Sequence, residues 1–368
     1  MREKISILGL MAGTSVDGID AAIILSDGES VERTGIGLTT SYEKETRESI
    51  FRAFDDPFNP DDDLAERIAR DHARATEMLI AEVGIMPDLI GFHGQTIGHF
   101  PERSISLQIG DADYLAGRLG IPVIHQFRQN DLAHGGEGAP LAPIYHQALI
   151  QHLALEQPCA LVNIGGISNA SIVDGEQLIG LDLGPGNALM DDLAQRYLGT
   201  SFDQGGAMAK RGTADHQLVQ DMLNNSFFQQ KGPKSLDRKG LYDLLIEERL
   251  KALSPEDQMA TLSALTTKSI IHGLMLNAPQ LKEVVICGGG SFNPSLMEMI
   301  TANAETVKVS RMEEHMINDI SLDSRFIEAE LMAYLAARSL YDLPITFPET
   351  TGVDQPRSGG VKVRAKLK

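Results

Sequence analysis

The chain has 368 residues and a formal net charge of −19, with 51 acidic residues against 32 lysines and arginines. That excess of carboxylate disfavours nucleic acid or an anionic membrane as a partner, because both need a positive face. With 42% hydrophobic and 23% charged residues it reads as a globular chain with apolar mass for full cores, and its length suggests about two domains.

Residues 5–10 form an apolar run that predicts a buried strand, and 21–25 predict a second. Between them lie Gly13, Thr14, Ser15 and Gly18, with carboxylates at Asp17 and Asp20. A short turn rich in glycine and hydroxyls lets backbone N–H groups converge on an anion. Carboxylates beside it suit the water shell of Mg²⁺ rather than phosphate itself. The pattern suggests a nucleotide phosphate loop on a β-hairpin; an ordinary hairpin turn is the plain alternative.

Helices are predicted at 44–54 and 62–83, the latter with Asp61–Asp63 as acidic start signals. Short strands follow at 88–92, 107–110 and 121–124. Each ends in polar or glycine residues before a helix, as in α/β units. His93, at the first of these ends, suits hydrogen bonding to a polar ligand such as a sugar. Gln108 and Asp111 could add to such a site, and Arg128 is a natural partner for an anionic substituent. Six of the ten histidines lie between His93 and His152, but without the spacing or flanking ligands of a zinc site.

The pattern changes near Gln157. A strand at 159–164, the turn Gly165-Gly166 and a strand at 168–173 echo the opening unit, as though a second domain started like the first. Asp182 then sits among apolar residues ahead of Gly184, Gly186 and Asn187. It reads as a turn aspartate or as a partly desolvated general base. The chain is mainly helical from 187 to 276. A strand at 284–287 runs into Gly288, Gly289, Gly290 and Asn293, then a helix at 294–301. A tight turn needs one glycine; three suit the flat face of an adenine. The last helix is predicted at 324–340, with Glu328 in its first turn, and the tail beyond Pro348 as a solvated terminus. Cys159 and Cys287 lie in apolar strands and read as buried thiols. With no secretory core and no run near the ~18 apolar residues of a membrane span, a cytoplasmic protein is expected.

Taken in order, these motifs resemble the anhydro-N-acetylmuramic acid kinase family, within the actin, Hsp70 and sugar-kinase superfamily. They comprise residues 13–20, His93-Gly94-Gln95-Thr96, Leu107-Gln108-Ile109-Gly110-Asp111 and Gly138-Ala139-Pro140-Leu141. Then come Asn163-Ile164-Gly165-Gly166-Ile167, Asp182-x-Gly184-Pro185-Gly186-Asn187, Pro233-Lys234-Ser235, Gly288-Gly289-Gly290 and Glu328-Ala329. The resemblance implies a two-lobed α/β fold of the actin-like ATPase type with ATP in a cleft between the lobes. The lobes are expected at 1–156 and 157–368, the last helix packing back on the first.

By the same resemblance, Gly13, Thr14, Ser15, Val16, Asp17, Gly18, Ile19 and Asp20 form the ATP phosphate loop. Gly165 and Gly166 make a second phosphate contact, and Gly288, Gly289, Gly290 and Asn293 form the adenosine site. Asp182 maps onto the catalytic base. His93, Gln95, Arg128, Asp131, Pro140 and Glu328 fall on the substrate side. ATP and Mg²⁺ are the implied cofactors, the metal held through water by Asp17 and Asp20, and a homodimer is implied. The implied reaction opens 1,6-anhydro-N-acetylmuramic acid and phosphorylates O6, in peptidoglycan recycling. The alternatives are a kinase of another anhydrosugar such as anhydroglucose, or a nucleotide-binding member without catalysis. Four positions depart from the family pattern. Gln126 stands where the family usually has Asp, Glu137 where it has Gln, Ala12 where Ser is common and Asp237 where Gly is common.

Overall fold

The computed structural model describes residues 2–236, 238–317, 320–321 and 323–365; Asp237 is outside them. The chain divides into two compact units: residues 1–153 with 316–368, and residues 154–315.

The first unit is built on one mixed sheet. Its strands are β1 (Ile5–Ala12), β2 (Ile19–Ser26), β3 (Val31–Thr40), β4 (Leu89–Phe100), β5 (Ile105–Ile109) and β6 (Val123–His125). β1, β2 and β3 form an antiparallel meander. β4 adds parallel to β1, β6 adds parallel to β4, and β5 folds back on the outer half of β4. Helices α1 (Lys44–Asp55), α2 (Leu64–Val83), α3 (Ala112–Leu119), α4 (Gln129–Ala133) and α5 (Ala142–Leu153) complete the first pass. The apolar run of β1 is buried on both faces, with Ile7, Leu8 and Leu10 in the core, as a central strand requires. Helix α2 follows its apolar periodicity and stops at Gly84, whose left-handed backbone (φ 70°) returns its N–H to Ile80 O at 2.8 Å.

The second unit repeats the plan. β7 (Cys159–Ile164), β8 (Ile167–Asp174) and β9 (Gln177–Pro185) make an antiparallel meander. β10 (Glu283–Cys287) adds parallel to β7, and β11 (Lys308–Arg311) parallel to β10. Strand order and directions match β3-β2-β1-β4-β6 of the first unit. Between β9 and β10 come α6 (Ala188–Leu198), α7 (His216–Leu223), α8 (Ser226–Gln229), α9 (Arg238–Asp243), α10 (Glu247–Lys251) and α11 (Pro255–Asn277). α12 (Pro294–Asn303) follows β10. The chain is thus an α/β fold of two units with one sheet topology between them.

The chain re-enters the first unit through a short pair, β12 (Met316–Ile317) and β13 (Ile320–Ser321), then α13 (Ile327–Leu340), α14 (Pro348–Thr351) and β14 (Val361–Val363). The sequence places a boundary at 157 and expects the last helix to pack back on the first lobe; in the structure the whole of 316–368 counts with the first unit. α13 lies directly on β1 and β4. A Cβ on Gly9 would stand 1.7 Å from Ala329 O, and one on Gly91 2.1 Å from Met332 O. Such contacts are long-range and leave no periodic trace. The tail also differs from expectation, because β14 pairs antiparallel with β6 and closes an edge that would otherwise be open.

Candidate active site

In the first unit the β1–β2 turn is fixed from beneath. Val16 is buried with a left-handed backbone (φ 55°), an uncommon conformation for a β-branched residue and one that marks a constrained turn. Its N–H bonds Gly13 O at 3.1 Å, and its own carbonyl accepts from Arg47 Nε at 3.2 Å. Gln95 is fully buried; its Nε2 donates to Gly13 O at 3.1 Å while its Oε1 accepts from Tyr42 OH. Gly18 is obligatory, since a Cβ there would meet Thr40 O at 2.8 Å. What remains outward is Thr14, Ser15 and Asp17, all exposed. Ile19 and Asp20 belong to β2, Ile19 in the core.

His93, expected at a strand end, lies within β4, which runs on past it because β5 pairs with the outer half. Its Nδ1 faces Gly94 O at 3.0 Å and its Nε2 faces Arg128 NH2 at 3.3 Å. Arginine can only donate, so Nε2 is the acceptor and the proton sits on Nδ1. Burial, then the Arg128 charge, depresses the imidazole to about 3, so it stays neutral. Arg128 is lowered to about 10 by burial, with Glu328 opposing, and its Nε is buried without a partner among the described residues. The Glu328 carboxyl is raised by the surrounding protein mass and by Asp20, and drawn down by Arg128. Its side chain is nonetheless exposed to solvent. His93, Arg128, Glu328 and Asp20 therefore share one electrostatic neighbourhood.

Gln95 and Asp131, expected on the substrate side, each make hydrogen bonds that brace a loop. Asp131 is buried, and its oxygens accept from Gly138 N–H and Thr351 Oγ1, each at 2.6 Å. A Cβ on Gly136 would stand 2.2 Å from the same carboxylate. Asp131 thus shapes the loop that delivers half-buried Pro140, as Gln95 shapes the Gly13 turn. Of the departures, Gln126 is exposed with φ 57° and Ala12 is buried at the end of β1. The Glu137 N–H bonds Thr351 O at 2.8 Å.

Asp17 and Asp20 suit a metal that arrives with phosphate. Asp17 is exposed; Asp20 accepts from Thr39 Oγ1 at 2.6 Å, and burial raises its carboxyl despite that bond. Among the described residues no group of three or more His, Cys, Asp or Glu side chains could cage a metal. Mg²⁺ keeps several waters and leans on substrate phosphates, so two carboxylates reaching it through water are a sufficient donor set.

In the second unit three turns pack on one another. Asn187 N–H bonds Gly165 O at 2.7 Å, Gly186 N–H bonds Gly166 O at 3.0 Å, and Asn187 Nδ2 bonds Ile164 O at 3.1 Å. A Cβ on Gly186 would lie 2.2 Å from Gly165 O, one on Gly288 2.1 Å from Asn163 Oδ1, and one on Gly290 2.3 Å from Ile164 Cγ2. These three glycines are therefore required by turn-on-turn packing. Gly165, Gly166 and Gly289 keep room above them, with no atom nearer than 3.5 Å to a Cβ. Asn293 is engaged as the cap of α12, accepting from Ser295 N–H and Leu296 N–H.

Asp182 lies near the end of β9 and is held by the segment around Lys234. Its N–H bonds Lys234 O at 2.8 Å, and its Oδ2 accepts from Leu236 N–H at 2.7 Å. The Lys234 ammonium donates to Phe227 O at 2.8 Å and sits 4.2 Å over the Phe227 ring. Burial lowers it to about 8, against the pull of Asp182. Lys234 of the Pro233-Lys234-Ser235 motif is thus near the Asp182 carboxylate. A lone lysine between Pro233 and Ser235 carries no local signal of a carboxylate some fifty positions away.

Residues 5–365 match the sequence model of the family Anhydro-N-acetylmuramic acid kinase. The chain belongs to this family. Curated relatives of that name include one from Nitrobacter winogradskyi, 39% identical over 97% of this chain and 99% of its own length. Another, from Rhodospirillum rubrum, is 40% identical over 96% of this chain and 92% of its own. Among solved structures, component A of the (R)-2-hydroxyglutaryl-CoA dehydratase of Acidaminococcus fermentans aligns at TM-score 0.44 and 11% identity, covering 92% of this chain and 99% of its own. A ROK family glucokinase from Streptomyces griseus aligns at 0.38 and 14%, covering 90% and 99%. Membership of the anhydro-N-acetylmuramic acid kinase family makes the chain a kinase, using ATP and a sugar. Among the described residues no helix is long and apolar enough to cross a membrane, and Cys159 and Cys287 are buried thiols.

Proposed function

We propose that this kinase hydrolytically opens 1,6-anhydro-N-acetylmuramic acid and phosphorylates O6, yielding N-acetylmuramic acid 6-phosphate for cell-wall recycling. Family membership across residues 5–365 is the observation that carries this reading. The placement of Asp182 on a backbone N–H clamp supports it.

In a 1,6-anhydrosugar O6 is bonded to C1 and has no proton to give up. The proton to be removed belongs to a water attacking C1, and Asp182 is the base for it. As the C1–O6 bond breaks, its electrons pass to O6. O6 bonds the γ-phosphorus, and the bond from that phosphorus to the β–γ bridging oxygen breaks to release ADP. Asp182 accepts the water proton while Leu236 N–H holds its other oxygen. The outward N–H and hydroxyl groups of residues 13–18, with the open faces of Gly165 and Gly166, are assigned to the phosphates. Mg²⁺, when bound, supplies neutralising charge to those phosphates, ordered through water by Asp17 and Asp20. Arg128 is assigned to the lactyl carboxylate; neutral His93 keeps its guanidinium in place and Glu328 accepts from sugar hydroxyls. Of the remaining parts of the proposal, a homodimer rests on the family resemblance and a cytoplasmic location on the sequence's lack of a secretory core or membrane-length apolar run.

The deciding experiment measures ADP release across a panel of anhydrosugars, with mass analysis of the products. The muramic substrate should be strongly preferred. In H₂¹⁸O, quenched before anomeric exchange, label should enter at C1 and not the phosphate ester. Preference for anhydroglucose would replace the substrate. Label in the phosphate ester would overturn the coupled mechanism.

A further inference from the structure

A glycine turn carries as many acceptors as donors, and a carbonyl turned toward a phosphate repels it. Around Gly165 and Gly166 the acceptors are engaged. Asn187 Nδ2 donates to Ile164 O, Asn187 N–H to Gly165 O, and the N–H groups of Gly186 and Ala188 to Gly166 O. Among the described residues nothing accepts from the N–H groups of Gly165 and Gly166 themselves. The 184–187 turn that does this holding is itself held by two buried hydroxyls outside the glycine motifs, those of Ser168 and Thr266. The β8–β9 register slips between Ser168 and Asn169. There the Ser168 hydroxyl shares its proton between Gly184 O and Pro185 O, each at 3.1 Å. From α11, Thr266 Oγ1 donates to Gly186 O at 3.1 Å. Ser263, Thr267 and Ser269 bond carbonyls of α11 itself, the ordinary choice for a hydroxyl inside a helix; Thr266 instead reaches another segment.

We propose that Ser168 and Thr266 are positioning residues for the second phosphate contact. They fix the carbonyls of residues 184–186, and so aim the N–H groups of Gly186 and Asn187 at the carbonyls of Gly166 and Gly165. The β7–β8 turn then presents N–H groups with its carbonyls tied back, the polarity an anion requires. The inference rests on the assignment of Gly165 and Gly166 to the nucleotide phosphates and names the side chains that give that turn its sign.

Thr266→Val keeps the shape of the side chain and removes its hydroxyl; Thr266→Ser keeps the hydroxyl. Calorimetric titration with Mg·ATP, without sugar, should show Thr266→Val binding roughly two- to tenfold more weakly, the net worth of one hydrogen bond. Thr266→Ser should bind like the wild type, and Ser168→Ala should repeat the loss from β8. In turnover the KM for ATP should rise by the same factor while the KM for the sugar holds. Wild-type ATP affinity in either Thr266→Val or Ser168→Ala would overturn the proposal. So would an equal loss in Thr266→Ser, which would make the effect one of packing, or an equal rise in both KM values. Gly166→Val separates the inference from the assignment beneath it, because a Cβ there has room and meets only Ala188 Cβ at 3.5 Å. If Gly166→Val also binds ATP normally, the turn is no phosphate contact and both fall. If it loses ATP while Thr266→Val does not, only the role of the hydroxyls falls.

Discussion

The two units share a five-strand topology yet equip the ends of their strands differently. In the first, the β1–β2 turn is a long polar loop braced by Gln95, Tyr42 and Arg47. The same unit carries the charged and imidazole groups His93, Arg128 and Glu328. In the second, the β7–β8 turn shrinks to Gly165 and Gly166, and the ends of β9 and β10 bring glycine turns together with one carboxylate, Asp182. Near the ends of the two meanders the contrast is direct. Asp20 of β2 is closed off by Thr39 of β3, whereas Asp182 of β9 is clamped by the 234–236 segment. A repeated scaffold thus supports two kinds of chemistry, because topology fixes where strand ends lie and not what they bear.

The sharpest test of that contrast is Asp182→Asn. The amide keeps an oxygen for Leu236 N–H and the shape of the strand, so folding and ligand binding should persist. Sugar cleavage and ADP release should fall together by ~10²–10⁴-fold, as for loss of a positioned base. Cleavage surviving without phosphorylation would separate the two steps and remove Asp182 from its role.

The helices against the two sheets offer the next comparison. Gly9→Ala would drive a Cβ into the Ala329 carbonyl at 1.7 Å, a backbone atom that cannot swing aside. The loss should reach or exceed the ~1–3 kcal/mol typical of overpacking. Gly273→Ala in α11 meets only the tip of the Leu183 side chain, at 2.7 Å. That side chain can turn, and alanine gains about 1 kcal/mol of helix propensity over glycine. Denaturant melts should therefore show Gly9→Ala crippled and Gly273→Ala within about 1 kcal/mol of wild type. Equal effects would mean the helices do not approach their sheets as described.

Arg128→Ala should cost the muramic substrate roughly ten- to a hundredfold in kcat/KM, the worth of a charge-assisted contact of about 1.5–3 kcal/mol. Anhydroglucose, which lacks the carboxylate, should lose far less. Equal losses would make Arg128 structural.

A further comparison is acid stability. Burial lowers His72 to about 4, opposed by its bond to Ile68 O. Its unfolded form titrates near 6.5, so between those values the unfolded chain binds the extra proton. Its contribution is full above about pH 6.5 and is lost as pH falls toward 4. Hydrogen exchange should show His72→Gln flattening that acid-side loss in amides of the first unit and leaving those of the second unchanged. A parallel slope in both variants would mean His72 titrates normally.

Much of this was legible in the chain itself. Continuous apolar runs specified β1 and β7 because strands buried on both faces need no alternation. Glycine and hydroxyl clusters marked the turns, and the ordered motifs named the family. Local pattern could not say how closely each glycine is packed: a Cβ on Gly288 or Gly290 would strike the neighbouring end of β7. Nor could it separate Gln95 and Asp131, whose polar atoms brace loops, from His93 and Arg128. The last helix is expected to pack back on the first lobe, and α13 does so, but that expectation came only through the family resemblance. Local pattern did not show β14 pairing with β6, because such contacts join residues more than two hundred positions apart. Sequence determined which segments could be strand, turn or helix, since those choices are set by neighbours a few residues away. Only tertiary structure decided which backbone groups would touch, because close packing is resolved across the whole chain.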